Sequence, residues 1–123
     1  MATEDDVRRL ALALPGVIAD ERHGQRHYTI DGKGITWGYV ARDRPKEKRT
    51  LRPGIVAIRC PIEEKEMLIE AAPEIYFDDD HYRGFPAVLI RLPQVQEDEL
   101  ADLLQGGWAL MMAAKPKRPR GRS

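Results

Sequence analysis

The apolar run over residues 87–92, which lies between Pro86 and Pro93, constrains the fold of this chain more than any other stretch. Arg91 is its single charged residue, and the two prolines limit the run to the length of a strand. A strand that is apolar on both faces is typically covered on both faces. The sequence therefore predicts a buried strand with other parts of the chain packed against each side.

Helical and strand patterns alternate along the rest of the chain. Apolar residues recur at helical spacing over 3–14, 63–72 and 97–113, and they alternate or cluster as in strands over 26–31, 35–41, 55–60 and 75–77. Asp31-Gly32 has the residues of a tight hairpin turn, although the following Lys33-Gly34 leaves open which pair occupies its centre. The aperiodic segments 17–25 and 42–54 are predicted to be loops. The predicted order is helix, three strands, helix, two strands, helix. This order favours an α+β fold in which an antiparallel sheet packs against helices.

The same patterns predict which side chains share a face. In the strand over 35–41, alternation places Ile35, Trp37 and Tyr39 on one face. In the helix over 63–72, Met67 is predicted to point inward, and Lys65 is predicted to lie outward or near the helix start.

The length of 123 residues fits one domain, and no internal repeat or boundary is visible. We predict a single α+β domain over residues 1–114, followed by a basic, disordered tail over 115–123. Cys60 is the single cysteine, which excludes an internal disulfide and a cysteine-built zinc site. The acidic start and the lack of a long apolar stretch predict neither a signal peptide nor a membrane span, so a cytoplasmic location is expected.

Positive charge is concentrated at the end of the chain. Five of the 20 basic residues lie within 115–123, so the remaining chain carries 15 basic against 20 acidic residues. A polyanionic partner would therefore have to use local basic patches, because the domain as a whole does not attract it.

The segment 42–54 contains the first candidate site. Basic side chains on a loop that follows a hairpin can track phosphates as a wing does, although a charge-rich loop is also typical of a plain solvated surface. Tyr28, Trp37 and Tyr39 would add aromatic surface if a face of the sheet is open, with core packing favoured for Trp37. The candidate nucleic-acid-binding residues are Lys33, Arg42, Arg44, Lys46, Lys48, Arg49 and Arg52.

The second candidate site is the acidic stretch before the buried strand. Its carboxylates and His81 could bind a divalent ion or raise one another's proton affinity, but a structured turn is the favoured interpretation. Alternatively, Tyr82 and Arg83 could face a groove and hold an anionic ligand. A metal site would require His23 to meet His81, which it could do if the loop before the first strand folds over the acidic stretch. The candidate ligand-binding residues are His23, His81, Tyr82 and Arg83. No nucleophile-and-base motif, metal-ligand spacing or glycine-rich phosphate loop is present, so we expect no catalytic residue, metal or cofactor.

Several pieces of the chain form a combination that points to a known family. They are residues 5–17, 32–35 and 64–66, the motif Asp80-His81-Tyr82-Arg83-Gly84-Phe85-Pro86 with the strand after it, and Trp108. Together they resemble the MmcQ/YjbR family of small bacterial proteins over residues 3–115. One common form of that family has tryptophan where Phe85 stands. The resemblance implies the same element order, DNA binding with a double-wing arrangement, and no established catalytic residues.

We therefore expect a bacterial, cytoplasmic, non-enzymatic protein that binds DNA weakly through its basic loop, as a monomer or weak homodimer without membrane attachment. Two alternatives stay open. One is a small-ligand or enzymatic pocket near His81 and Arg83. The other is a protein-interaction module that uses an exposed sheet face or edge.

Overall fold

A six-stranded antiparallel sheet forms the centre of the structure, a computed structural model that describes residues 1–22, 25–42, 44 and 46–113. The elements in chain order are α1 (Glu4–Leu12), β1 (Ile18–Arg22), β2 (Gln25–Ile30), β3 (Lys33–Ala41), β4 (Thr50–Arg59), α2 (Ile62–Ala71), β5 (Tyr76–Phe77), β6 (Ala87–Arg91), a single 3₁₀ turn (Leu92–Gln94) and α3 (Glu97–Ala113). The strands lie in the spatial order β1-β2-β3-β4-β6-β5. The α+β class with an antiparallel sheet is confirmed.

One strand was missed in the sequence. Residues 17–25 were predicted to be a loop, but β1 pairs with β2 from Ile18 opposite Thr29 to Arg22 opposite Gln25. Because β1 is an edge strand in which no residue is fully buried, it carries no hydrophobic alternation. The order is therefore helix, four strands, helix, two strands, helix. The predicted loop over 42–54 is also shorter, since β4 begins at Thr50.

The hairpin between β2 and β3 has the predicted turn. Asp31 and Gly32 both have positive φ angles, 51° and 77°, as a turn matched to the twist of a hairpin requires. A bulge follows a few residues later, because Tyr28 lies opposite Thr36 whereas Thr29 lies opposite Gly34, which leaves Ile35 as the extra residue.

This bulge overturns one predicted face. Ile35 packs into the core beneath the helices, whereas Trp37 and Tyr39 belong to a separate cluster on the other side of the sheet. The three side chains therefore do not share a face, because an extra residue shifts the alternation by one position. Only Trp37 and Tyr39 lie on the same face of the sheet, as predicted.

The sheet separates two apolar clusters. We call the side covered by α1 and α3 the helix face, and its cluster includes Val56, Ile58, Val88 and Ile90. We call the opposite side the loop face; its cluster consists of Trp37, Tyr39, Ala57, Tyr82, Ala87 and Leu89. The four residues 87–90 alternate between the two clusters and are each 0% exposed, which confirms that both faces of β6 are covered. Burial of each larger aliphatic side chain contributes about 1.5–3 kcal/mol.

The helices are anchored by local and long-range contacts. Thr3 and Asp6 form a reciprocal capping box at the start of α1, as their spacing predicts. Gly107 lets α3 approach β4, since a Cβ atom there would lie 3.0 Å from the carbonyl oxygen of Arg59. Within the described residues, no helix combines the length and apolarity needed to cross a membrane.

Candidate nucleic-acid interface

A buried lysine holds the acidic turn, which we define as residues 78–86. Lys65 of α2 is 3% exposed. Its Nζ donates hydrogen bonds to the carbonyl oxygens of Tyr82 at 2.7 Å and Phe85 at 3.0 Å, and it lies 3.1 Å from Oδ1 of Asp78. A buried ammonium group requires such acceptors, so the three contacts fix the turn on the sheet. Lys65 lies near the start of α2, as one of the two predicted alternatives has it, but the outward alternative is wrong. The predicted inward position of Met67 is also wrong, because Met67 is 66% exposed.

The remaining carboxylates of the acidic turn also have partners. Asp79 accepts hydrogen bonds from the Tyr39 hydroxyl at 2.6 Å and from the Tyr82 amide at 2.8 Å, and Asp80 pairs with Arg83 at 2.7 Å. Burial, followed by the hydrogen bond to Asp79, raises the pKa of Tyr39 to about 12, so its hydroxyl stays a donor. No metal-binding group of three or more acidic, histidine or cysteine residues occurs in the described part of the chain.

Aromatic and cationic side chains form a cluster on the loop face beside this turn. His27 lies opposite Trp37 in the sheet register, and their rings are stacked with centroids 5.8 Å apart and planes 13° apart. The Arg59 guanidinium lies 5.2 Å from the Trp37 ring centroid and 5.1 Å from that of Phe85. We call His27, Trp37, Arg59 and Phe85 the aromatic cluster.

Two hydrogen bonds hold side chains of the aromatic cluster in place. Trp37 Nε1 donates to the Tyr82 hydroxyl at 2.9 Å, and Arg59 Nε donates to the Gly34 carbonyl at 3.2 Å. Burial raises the pKa of Tyr82 and lowers that of Arg59, yet a guanidinium keeps its charge at neutral pH. The cluster is thus a rigid aromatic surface with a permanent positive charge.

Three neighbouring hollows form a groove along the loop face, which we call the loop-face groove. The central hollow, about 360 Å³, is lined by His27, Trp37, His81 and Phe85 among others. On one side it shares His27, Trp37 and Phe85 with a hollow of about 480 Å³ that Arg22, Lys33 and Arg59 also line. On the other side it shares His81 with a hollow of about 420 Å³ that Arg42, Arg44 and Arg49 line.

The structure brings together only part of the predicted basic site. Arg42, Arg44 and Arg49 converge at one end of the loop-face groove, and Lys33 lies at the other. Lys46 and Lys48 are exposed but line none of the three hollows. Arg52 is half-buried and donates to the carbonyl oxygen of Ala41 at 3.2 Å. The predicted tail over 115–123 lies outside the described residues.

The predicted ligand site is likewise divided. His81 and Tyr82 line the central hollow, whereas Arg83 is exposed and turned to Asp80. His23 lies outside the described residues, so its meeting with His81 stays a prediction. Tyr28 belongs to the helix-face core and adds nothing to the groove.

Sequence reasoning missed Arg22, Arg59 and Lys65. Arg59 lies two residues after Ala57, so strand alternation alone would have placed both on one face. Lys65 precedes the core-packed residues Leu68, Ile69 and Ala72 by three, four and seven positions, which is the spacing of one helical face. Its charge concealed this pattern. Arg22 gave no signal, because β1 itself was not recognised.

The fold defines a class of small α+β proteins with helices on one face of an antiparallel sheet. In this chain the other face of the sheet carries the loop-face groove. A model of the YjbR family matches residues 12–110. The chain belongs to the YjbR family.

Known proteins similar to this chain support the family and the fold. Uncharacterized protein Rv2570 of Mycobacterium tuberculosis and uncharacterized protein Mb2600 of Mycobacterium bovis are each 35% identical to this chain, in an alignment that covers 94% of this chain and 92% of the relative. The crystal structure of Deinococcus radiodurans protein DR2400, with the family-model domain DUF419, superposes with a TM-score of 0.66 at 19% identity. It covers 100% of this chain and 83% of that one, and at this identity it supports the fold alone.

Proposed function

We propose that the protein binds nucleic acid along the loop-face groove, with the sugar-phosphate backbone held by the cations at its two ends. One observation carries this proposal. Arg42, Arg44 and Arg49 line one end of the groove, and Lys33 and Arg59 line the other, with an aromatic floor between them. Phosphate contacts by arginine and lysine supply most of the affinity in non-specific binding.

Local charge outweighs net charge in this groove. The acidic excess outside the tail acts weakly there, because exposed charges more than about 10 Å apart are largely screened at 0.1 M salt. Asp79 and Asp80 line the same hollow as Arg42, Arg44 and Arg49, so arginines exceed acids by three to two among the described residues of this lining. Asp80 is in addition paired with Arg83. We expect weak, strongly salt-dependent binding, with a Kd on the order of 10⁻⁴–10⁻⁶ M.

Binding rather than catalysis is the proposed role, because polar groups in the groove are committed to structural contacts. The Tyr39 hydroxyl donates to Asp79, and the Tyr82 hydroxyl accepts from Trp37. Burial raises the pKa of both tyrosines, which disfavours either as a general base at neutral pH.

Titration of labelled oligonucleotides at low salt, followed by fluorescence anisotropy, tests this proposal. Replacing Arg49 by Gln should weaken binding and lower the slope of log K against log salt by about 0.7 for a single strand, since one phosphate contact is lost. Arg8→Gln removes the same charge from the exposed surface of α1 and is the matched control.

Two outcomes would contradict the proposal. One is an absence of binding to single- or double-stranded DNA or RNA at about 50 mM salt, where phosphate contacts act strongly. The other is an equal loss of affinity in the Arg8→Gln and Arg49→Gln variants, because the groove would then have no special part in binding.

A small anionic ligand with a flat ring is the second candidate. The central hollow of about 360 Å³ falls within the common range of ligand pockets, and two of the candidate ligand-binding residues, His81 and Tyr82, line it. A mononucleotide should then compete with an oligonucleotide at comparable concentration. Competition only by the polymer would favour the nucleic-acid proposal.

A further inference from the structure

We propose that Phe85, supported by Trp37 and His27, forms a base-stacking subsite that makes the groove select single-stranded over double-stranded nucleic acid. This inference rests on the proposed function and assigns a task to the aromatic cluster that the cations do not perform. Phosphate contacts form with both single-stranded and double-stranded nucleic acid. Stacking on an aromatic side chain requires a base whose flat face is accessible.

The exposure of Phe85 is the first observation behind this proposal. Phe85 is 38% exposed, and its ring lies at the boundary between the central hollow and the hollow that contains Arg59. An exposed aromatic ring beside a cation is a surface that a nucleobase can cover, with stacking and cation–π attraction both available.

The rigidity of this surface is the second observation. The Phe85 carbonyl accepts a hydrogen bond from the buried Lys65, and the Phe85 amide donates to the Tyr82 carbonyl at 2.9 Å. Gly84 between them has a φ of 78°, a conformation that glycine adopts without strain. The Phe85 and Trp37 rings meet at 74°. A ring fixed in this way loses little conformational freedom on binding.

The position of the cluster explains the expected preference for a single strand. Its rings line the central hollow, which has Lys33 and Arg59 on one side and Arg42, Arg44 and Arg49 on the other. A backbone held on both sides therefore carries its bases across Phe85. In a duplex the bases are paired and stacked on one another, and their faces do not reach such a surface. Unpaired bases can turn outward and stack on aromatic side chains.

The test compares a single strand with bases, a single strand without bases and a duplex. A thymidine oligonucleotide roughly ten nucleotides long is titrated beside an abasic strand with the same number of phosphates and a duplex of the same length. The wild-type protein should bind the thymidine strand roughly tenfold more tightly than the abasic strand, which corresponds to one stacked base.

Two variants of Phe85 complete the test. Phe85→Leu keeps an apolar side chain but removes the flat ring, so its affinities for the thymidine and abasic strands should become equal. Phe85→Tyr retains the ring and should keep the preference for the thymidine strand. Thermal unfolding of both variants verifies that they are folded.

The outcomes separate this inference from the function on which it rests. Equal wild-type affinity for the thymidine and abasic strands would overturn the stacking subsite and leave phosphate binding intact. A Phe85→Leu variant that keeps the thymidine preference, or that loses affinity equally for all three ligands, would also overturn it. Absence of binding to any of the three ligands would overturn both proposals.

Discussion

The acidic turn lies on the same side of the sheet as residues 42–49, the part of the predicted loop that precedes β4, which we call the basic loop. The two charged segments differ in the partners of their charged side chains. The acids of the turn are satisfied by this chain itself, through Lys65, Tyr39 and Arg83. The basic loop has one ion pair among the contacts described for it, Arg44 with Glu47 at 3.8 Å. A charged segment is thus scaffold where the fold supplies its partners, and a candidate binding surface where the described residues supply few.

The largest expected effect follows from the buried contact of the acidic turn. Replacing Lys65 by Met should lower the free energy of unfolding by about 3 kcal/mol, because it leaves Asp78 and two carbonyl oxygens without their cation. Chemical denaturation measures this loss. Lys46→Met, at an exposed site of the basic loop, should stay within about 0.5 kcal/mol of the wild type. Similar free energies of unfolding for the two variants would contradict the view that charged contacts stabilise the acidic turn more than the basic loop.

A smaller effect is expected at the hydrogen bond between Tyr39 and Asp79. Tyr39→Phe should cost about 1 kcal/mol at neutral pH, since it removes a donor to a carboxylate. Burial first and Asp79 second raise the pKa of Tyr39 from 10.0 to about 12. The stabilisation is therefore complete below the unfolded-state pKa and is lost as the pH rises through the folded-state pKa.

Denaturation of the wild type and Tyr39→Phe at several pH values checks this sign. The difference in their free energies of unfolding should narrow as the pH rises from about 10 to about 12. A difference that stays constant over this range would show that folding does not raise the pKa of the Tyr39 hydroxyl.

The surface ion pair of the acidic turn should contribute least to its stability. The side chains of Arg83 and Asp80 are 74% and 92% exposed, and such pairs are typically worth less than about 1 kcal/mol. Arg83→Ala should therefore lower the free energy of unfolding by only about 0.3 kcal/mol, and it should weaken nucleic-acid binding less than Arg49→Gln does, because Arg83 lines none of the three hollows. A larger loss of affinity than that of Arg49→Gln would indicate that nucleic acid contacts Arg83 at the outer edge of the acidic turn rather than the groove.

The basic loop should show the reverse pattern. The double variant Arg42→Gln/Arg49→Gln should unfold within about 0.5 kcal/mol of the wild type. Its salt slope for single-stranded DNA should fall by about 1.4, as expected for two lost phosphate contacts. A marked loss in the free energy of unfolding, without a change in the salt slope of binding, would show that the basic loop stabilises the fold as the acidic turn does.

The fold class, the Asp31-Gly32 turn and the two-sided burial of β6 could be predicted from the sequence, because each depends on local spacing. The faces of Ile35 and Trp37 could not be predicted, since a bulge is set by strand pairing and leaves no periodic signal. The edge strand β1 was missed for a related reason, because its exposed residues do not alternate.

The candidate site was harder to predict than the fold. The loop-face groove combines residues from β2, β3, β4 and the acidic turn, and their proximity depends on sheet register rather than on chain neighbours. Composition identified the basic loop, but it could not separate Arg42 and Arg49 from Lys46 and Lys48. The expected monomer or weak homodimer stays a prediction.

The strand order has a consequence for the sequence of events in folding. Strands β1 to β4 are joined in chain order, so each pairs after closing a short loop, whereas β4 must wait for β6 across α2 and the acidic turn. Short loop closures are faster, so we expect residues 18–59 to gain protection from solvent exchange before residues 76–91 do. Pulsed hydrogen exchange during refolding would detect this order, and simultaneous protection of both regions would exclude it. Trp37 would then be in place before Phe85 arrives beside it.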